Sequence, residues 1–266
     1  MKSIFSLSGH NDFLDLLDLC EEYIEIDRSE ALISIKEFSH KLDNSSKKNK
    51  IKILEDRWYN SCRKGFPDYS VYNDPYYICD IWICWALYSR KSLLSISNKK
   101  SLITKSVSDY IGDIGSVLDM GCGFGYTTAG LKEIFKNANV FGTNIDTSYQ
   151  YKVAQKISRE RNFNVVSTYK NIKNVDLIFA SEYFEHIINP IEHLYDIIMS
   201  CRPKYFVIAN GFNGIAIGHF TDYQHQNKKY SPSEMSKNFN KSMKILGYRK
   251  IKTKIWNNRP SFWERM

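Results

Sequence analysis

Two short stretches hold residue types at spacings that chemistry can use. The first, VLDMGCGFGYTTAG (residues 117–130), places Gly121, Gly123 and Gly125 at alternate positions directly after a short apolar run. Glycine adopts positive φ without strain and lets backbone approach a ligand closely, so such a loop after a strand can cradle a nucleotide-like molecule. The second, ASEYFEHIINPIEH (residues 180–193), holds Glu182, Glu185 and His186 at i, i+3 and i+4. On a helix these three share one face. Two carboxylates and an imidazole there suit a divalent ion such as magnesium, manganese, iron or zinc. The same residues can instead merely shape a pocket wall, or His186 can act as a metal-free general base.

The glycine loop discriminates between ligand classes. A dinucleotide site wants GxGxxG with the pyrophosphate on a helix N-terminus, but the third glycine of that pattern is Tyr126 here. Asp119, two residues before the first glycine, is badly placed beside a pyrophosphate and suits a cation, such as the amino group of a bound amino acid.

These residues need elements to position them. From Ser116 onward short apolar runs alternate with helical patterns: VLDM, VFGTNI, NVVSTY, VDLIFAS and YFVIAN are separated by TTAGLKEIFKNA, SYQYKVAQKISRER and PIEHLYDIIMSC, and PSEMSKNFNKSMKIL follows. The alternation predicts an α/β fold, a doubly wound and mostly parallel sheet covered by helices. YRKIKTKIW and SFWERM, joined by NNRP, close it as an antiparallel hairpin and bring the strand count to seven. Asn189-Pro190 reads as a helix-starting turn with proline at the first helical position. Ligands of open α/β sheets bind at the carboxyl ends of strands where the order reverses, which is where GCGFG falls.

Ahead of this region, residues 12–26 and 29–42 show helical periodicity, while DNSSKKNK (residues 43–50) is polar, lacks periodicity and reads as a linker or exposed loop. An aromatic-rich segment then leads through Pro and Gly turns into a long helix from about Tyr76. The aromatics from Trp58 to Trp85 fit two roles, covering an active site or capping the core. The expected organisation is an N-terminal helical cap or substrate region over 1–100 and a catalytic domain over 101–266.

Composition limits the rest. With 266 residues, 43% of them apolar, the chain can build one large core. No run approaches the ~20 apolar residues of a membrane span, and the first residues lack the continuous apolar stretch of a signal peptide, so a cytoplasmic protein is expected. Six cysteines without a CxxC pair indicate neither structural zinc nor a disulfide scaffold. The net charge of +8 is uneven: residues 201–266 hold thirteen Lys and Arg against three acids, a basic end open to nucleic acid or to plain solvation. The slot after VDLIFAS is SEYF, which lacks the prolines of the tetrad that amino-methylating DNA enzymes use to clamp a flipped base.

LDMGCGFG resembles motif I of the class I S-adenosylmethionine-dependent methyltransferases, and the resemblance extends over about residues 116–266. It implies that the loop cradles the methionine and ribose parts of S-adenosylmethionine. Asp119, Gly121, Gly123, Gly125, Asn144 and Ser181 are then the cofactor-binding set. Asn144 stands where an acid usually holds the ribose hydroxyls; Asp146, two residues on, is a poorer substitute. ExxEH is similar to the metal-binding motif of terminal small-RNA 2′-O-methyltransferases and of ubiquinone-pathway O-methyltransferases. That similarity implies magnesium or manganese on Glu182, Glu185, His186 and a further histidine. GHFTDYQHQNKKYSPSEM offers His219 and His225, of which His225 is nearer the family spacing though one residue off. The same four residues, Glu182, Glu185, His186 and His225, form the expected catalytic set. The favoured function is methylation of a hydroxyl oxygen on a small molecule; the alternatives are an RNA- or DNA-modifying methyltransferase and a non-catalytic cofactor-binding scaffold.

Overall fold

The computed structural model describes residues 45–74, 77–78, 90–97, 106–253 and 260–266, together with Asp18, Glu21, Glu22 and Ser29. The helices expected over 12–26 and 29–42 lie almost wholly outside the described residues, as does the stretch 79–89 of the long aromatic segment.

The strands are β1 (Ser116–Met120), β2 (Asn139–Thr143), β3 (Asn164–Val166), β4 (Leu177–Ser181), β5 (Tyr205–Ala209), β6 (Tyr223–His225), β7 (Lys228–Tyr230), β8 (Tyr248–Ile251) and β9 (Ser261–Arg265). Seven of them form one sheet in the order β3-β2-β1-β4-β5-β9-β8. β1 to β5 run parallel, whereas β9 is antiparallel to both β5 and β8. The chain winds outward from β1 to β3, then crosses back to place β4 on the other side of β1. That reversal opens a crevice at the carboxyl ends of β1 and β4. β6 and β7 make a separate small hairpin.

Strand residues alternate between two cores, which is why runs buried throughout are needed here. Val117, Leu177, Phe179, Tyr205, Val207 and Phe262 face one layer; Leu118, Ile178, Ala180, Phe206, Ile208 and Trp263 face the other. The helices are α1 (Ser45–Arg63), α2 (Arg90–Ser97), α3 (Val107–Ile111), α4 (Tyr126–Ile134), α5 (Tyr149–Arg161), α6 (Pro190–Cys201) and α7 (Pro232–Ile245). Leu93 and Ile96 of α2, Leu131 of α4, and Val153 and Ile157 of α5 fill the first layer. Leu54 and Trp58 of α1, Leu194 and Ile197 of α6, and Met235, Phe239 and Met243 of α7 fill the second.

Local signals set the helix ends. Pro190 opens α6. At α7, Ser231 and Glu234 form a reciprocal capping box ahead of Pro232. The expected linker over 43–50 is corrected: α1 already begins at Ser45. A helix needs one apolar stripe, and Leu54 and Trp58, four residues apart and both buried, supply it further along. Lysine is a good helix former, so the polar first turns continue the same helix without an apolar face of their own. Among the described residues no helix is long and apolar enough to cross a membrane.

Candidate active site

The carboxyl ends of β1, β2, β4 and β5 open into one cavity of about 1000 Å³. Asp119, Gly121, Gly123, Asn144, Ser181, Glu182, His186 and His219 all line it, so most of the sequence-derived set converges. Gly125, Glu185 and His225 do not line it.

The glycine loop follows β1 because three successive positions need positive φ: Gly121 at 71°, Gly123 at 55° and Gly125 at 91°. The backbone is braced by Cys122 N–H donating to the Thr143 carbonyl (2.8 Å) and Gly125 N–H donating to that of Cys122 (2.9 Å). Each glycine has its own task. A Cβ on Gly121 would lie 2.6 Å from the Tyr183 ring, whereas one on Gly123 would meet only Gln150 at 3.7 Å, leaving a bare backbone face toward the cavity. Gly125 caps α4 and packs against Phe163 and Ala154 of the neighbouring segment, a helix-packing role.

Asn144 latches this loop: its Nδ2 donates to the Gly123 carbonyl (2.9 Å), and its Oδ1 accepts from Ile145 N–H (2.8 Å). Its amide therefore shapes the loop in addition to facing the cavity. Asp119 is 1% exposed and accepts a hydrogen bond from Thr128 Oγ1 at 2.7 Å. Burial pushes its carboxyl up to about 6, against the opposing pull of Thr127 and Thr128. A carboxyl that is reluctant to ionise when buried welcomes a cation.

The second motif differs from its sequence expectation. No α-helix starts at Glu182; this residue takes a left-handed conformation, φ 53°, with its N–H donated to the Ala209 carbonyl at 2.7 Å. A single 3-10 turn, Phe184–His186, follows, and α6 waits until Pro190. Glu182, Glu185 and His186 therefore do not share a helical face. Glu185 is fully buried and accepts from Gly211 N–H, while Tyr223 Oη donates to its carbonyl at 2.9 Å. Burial first, then the neighbouring Glu182, hold the Glu185 carboxyl well above the usual range. Burial and the adjacent His219 push His186 down to about 3, so its imidazole is neutral at neutral pH.

His225 is displaced from the expected set. On β6 its Nδ1 lies 2.7 Å from Glu192 Oε1, which also accepts from Gln226 N–H at 2.9 Å. His219 takes the place near His186: the two rings meet edge to face with centroids 4.9 Å apart. Among the described residues, no three His, Cys, Asp or Glu side chains are grouped to hold a metal ion. The four expected ligands do not fit one, because Glu185 turns to Gly211 and His225 to Glu192.

Sequence reasoning missed several residues here. Tyr72, from the 3-10 turn Tyr69–Asn73, brings its Oη to 3.2 Å from His186 Nδ1. Gly218, φ 89°, makes that approach feasible, since a Cβ there would meet both His186 Nδ1 and Tyr72 Oη. Tyr183 lies against Gly121 and pairs its hydroxyl with His193 Nε2 at 2.9 Å. Trp58 Nε1 donates to the His219 carbonyl at 2.6 Å, tying α1 to the cavity wall. The aromatic N-terminal segment therefore does both things considered for it: Trp58 is core, while Tyr69, Tyr72 and Tyr77 line the cavity.

Residues 118–206 match the family described as a methyltransferase domain. The match covers about a third of the chain and, with the sheet order and the glycine loop after β1, supports a class I S-adenosylmethionine-dependent methyltransferase. Among curated proteins, the ubiquinone biosynthesis O-methyltransferases of two Rickettsia bellii strains are 25% identical over 116 residues, which is 42% of this chain and 48% of theirs. The chain thus spans about half the length of the curated relatives it matches. Solved structures that resemble it include a SAM dependent methyltransferase from Aquifex aeolicus, at 16% identity and TM-score 0.41 over 65% of this chain and 89% of that one. A TehB-like SAM-dependent methyltransferase from Corynebacterium glutamicum aligns at 13% identity and TM-score 0.43 over 70% and 95% of the two chains.

Proposed function

We propose that this protein transfers a methyl group from S-adenosylmethionine to a hydroxyl oxygen of a small molecule. The observation that carries the proposal is one half-open cavity lined by the glycine loop and Asp119 together with Glu182, His186 and His219. The oxygen acceptor is supported by the name of the curated relatives, which are O-methyltransferases. A small acceptor is favoured over nucleic acid by the lining: no Lys or Arg of the described residues contributes to it, although the chain has 37 of them. Phosphate backbones are held chiefly by such cations. In this reading residues 1–100 form a cap, of which α1 and the Tyr69–Asn73 turn are fastened to the catalytic domain 101–266 through Trp58 and Tyr72, while α2 packs into the first core layer.

Bound S-adenosylmethionine supplies an electrophilic methyl on a sulfonium. Gly121 and Gly123 admit the ligand to the loop, Asp119 matches its ammonium, and Asn144 holds the loop in shape. In the same cavity Glu182 offers a carboxyl group to the acceptor molecule. The neutral His186 imidazole, with His219 against it, orients the hydroxyl and can take up its proton.

Isothermal titration is expected to show S-adenosylmethionine and S-adenosylhomocysteine binding to the purified chain, and tritium from labelled S-adenosylmethionine is expected in a small-molecule fraction of cell extract. Absence of cofactor binding refutes the proposal; label confined to RNA or DNA refutes the acceptor class. The two histidines give a sharper prediction. His219→Gln is expected to lower methyl transfer by at least about tenfold, as loss of a positioned imidazole does. His225→Gln breaks only a partly exposed pair with Glu192, so transfer stays within about twofold and stability within about 1 kcal/mol. Initial rates of both variants with a labelled extract check the ranking.

A further inference from the structure

We propose that the acceptor molecule carries a positive charge, an ammonium group on an aromatic or apolar body, and that Glu182 recognises it. The inference rests on the methyltransferase reading of this cavity and names its substrate class. Four observations carry it. The first is the lining, which in a chain of net charge +8 has acids and histidines but no Lys or Arg among the described residues. Among the described residues an anionic substrate finds no cationic Lys or Arg side chain there.

The second is the backbone at Glu182. A non-glycine residue at φ 53° is held in an uncommon conformation, and the bond from its N–H to the Ala209 carbonyl fixes it at the cavity edge. The third is an acceptor that lacks a donor. Asn210, which lines the cavity at the end of the adjacent strand, has a buried and unpartnered Oδ1. β4 and β5 pair Ser181 with Ala209, so Glu182 and Asn210 leave neighbouring strands at the same level. A buried acceptor without a donor is costly, and a ligand that brings several N–H donors can meet Asn210 and Glu182 together. An ammonium is such a ligand, with three donors and a charge opposite to a carboxylate.

The fourth is aromatic. Tyr69, Tyr72 and Phe212 line the same cavity, and aromatic faces attract cations as well as apolar bodies. A carboxylate or phosphate compound gains from none of these features.

The experiment uses the full chain saturated with S-adenosylhomocysteine, whose binding is measured first; failure at that stage falls on the methyltransferase reading and not on this one. Size-matched phenols bearing an ammonium, an uncharged or a carboxylate side arm, such as tyramine, 4-ethylphenol and 3-(4-hydroxyphenyl)propionate, are then titrated by ligand-observed NMR. The ammonium versions are expected to bind at least about tenfold tighter than the carboxylates. Glu182→Gln, shown to be folded by unchanged S-adenosylhomocysteine binding, narrows the gap to about threefold or less, a loss of charge complementarity. Equal ranking, the reverse order, no binding by any ammonium version, or a gap unchanged in Glu182→Gln overturns the proposal. A second arm replaces S-adenosylhomocysteine with sinefungin, which has an amine near the place of the transferred methyl. The ammonium preference is expected to persist; its disappearance assigns the acids to the cofactor and also overturns the proposal.

Discussion

Replacing Gly121 by alanine is expected to lower the melting temperature by about 5–15 °C and to weaken S-adenosylmethionine binding by more than about tenfold. Two costs combine. At φ 71° an L-residue is strained by about 1–2 kcal/mol, and the new Cβ would lie 2.6 Å from Cδ2 of Tyr183. Relieving that overlap moves a ring whose hydroxyl is paired with His193 and whose edge packs on Phe184, an overpacking cost of about 1–3 kcal/mol. For a chain of this size each kcal/mol shifts the melting point by about 2–4 °C. The displaced ring has only the cavity to enter, so the cofactor loses room as well. Gly65→Ala supplies the control: its φ of 81° lies at the end of α1, where Phe66 N–H donates to the Ser61 carbonyl, and a Cβ there meets nothing within 4 Å. Strain without overlap should cost that variant only the first of the two costs and leave cofactor binding unchanged. If Gly121→Ala matched Gly65→Ala in both thermal unfolding and titration, the close approach of Tyr183 would have no role in the site.

Much of this arrangement is legible in the sequence, for identifiable physical reasons. β1, β4 and β5 are buried on both faces, so they appear as continuous apolar runs, and the glycines after the first run have few uses other than a tight loop. Pro190 and the Ser231 to Glu234 box announce helix starts through bonds local to the chain. The acid and histidine motif is different. Helical spacing from Glu182 to His186 is also what a kink followed by a 3-10 turn produces. What decides between them is the Ala209 carbonyl on the neighbouring strand, a partner 27 residues away. The choice of His219 over His225 is equally non-local. β6 and β7 pair Tyr223 with Tyr230 and His225 with Lys228, which turns His225 toward Glu192 and leaves His219, braced by Trp58 and Gly214, beside His186. Tyr72 lies 114 residues from its histidine, so the aromatic segment reads as a cover for a site without showing which ring meets His186.

Asp119→Asn is expected to move stability and cofactor affinity in opposite directions. The folded protein holds this carboxyl at about 6, above the ordinary 3.8 of an aspartate, because it is buried. Its native form therefore binds more protons than the unfolded chain between those values, and stability falls as pH rises through that window. Above pH 6 the buried charge costs the wild type on the order of 3 kcal/mol; near pH 4 it costs nothing. Asparagine retains an oxygen for the Thr128 hydroxyl, 2.7 Å away, and has no charge to bury. The variant should accordingly melt several degrees higher than wild type at pH 8 and at about the same temperature at pH 4. Cofactor binding responds the other way. An ammonium next to Asp119 favours the ionised carboxyl, so wild-type affinity rises as pH goes from about 5 to 7, whereas the asparagine variant should bind at least about tenfold more weakly and show no such rise. Thermal unfolding and calorimetric titration across pH 4.5–8 test both halves. A variant that binds as tightly as wild type with the same pH slope would place the ammonium elsewhere. A variant less stable at pH 8 would mean that the buried carboxylate is compensated inside the fold. The opposition, if found, has a simple origin: a charge kept in a dry place weakens the empty protein and is repaid only when a cation arrives beside it.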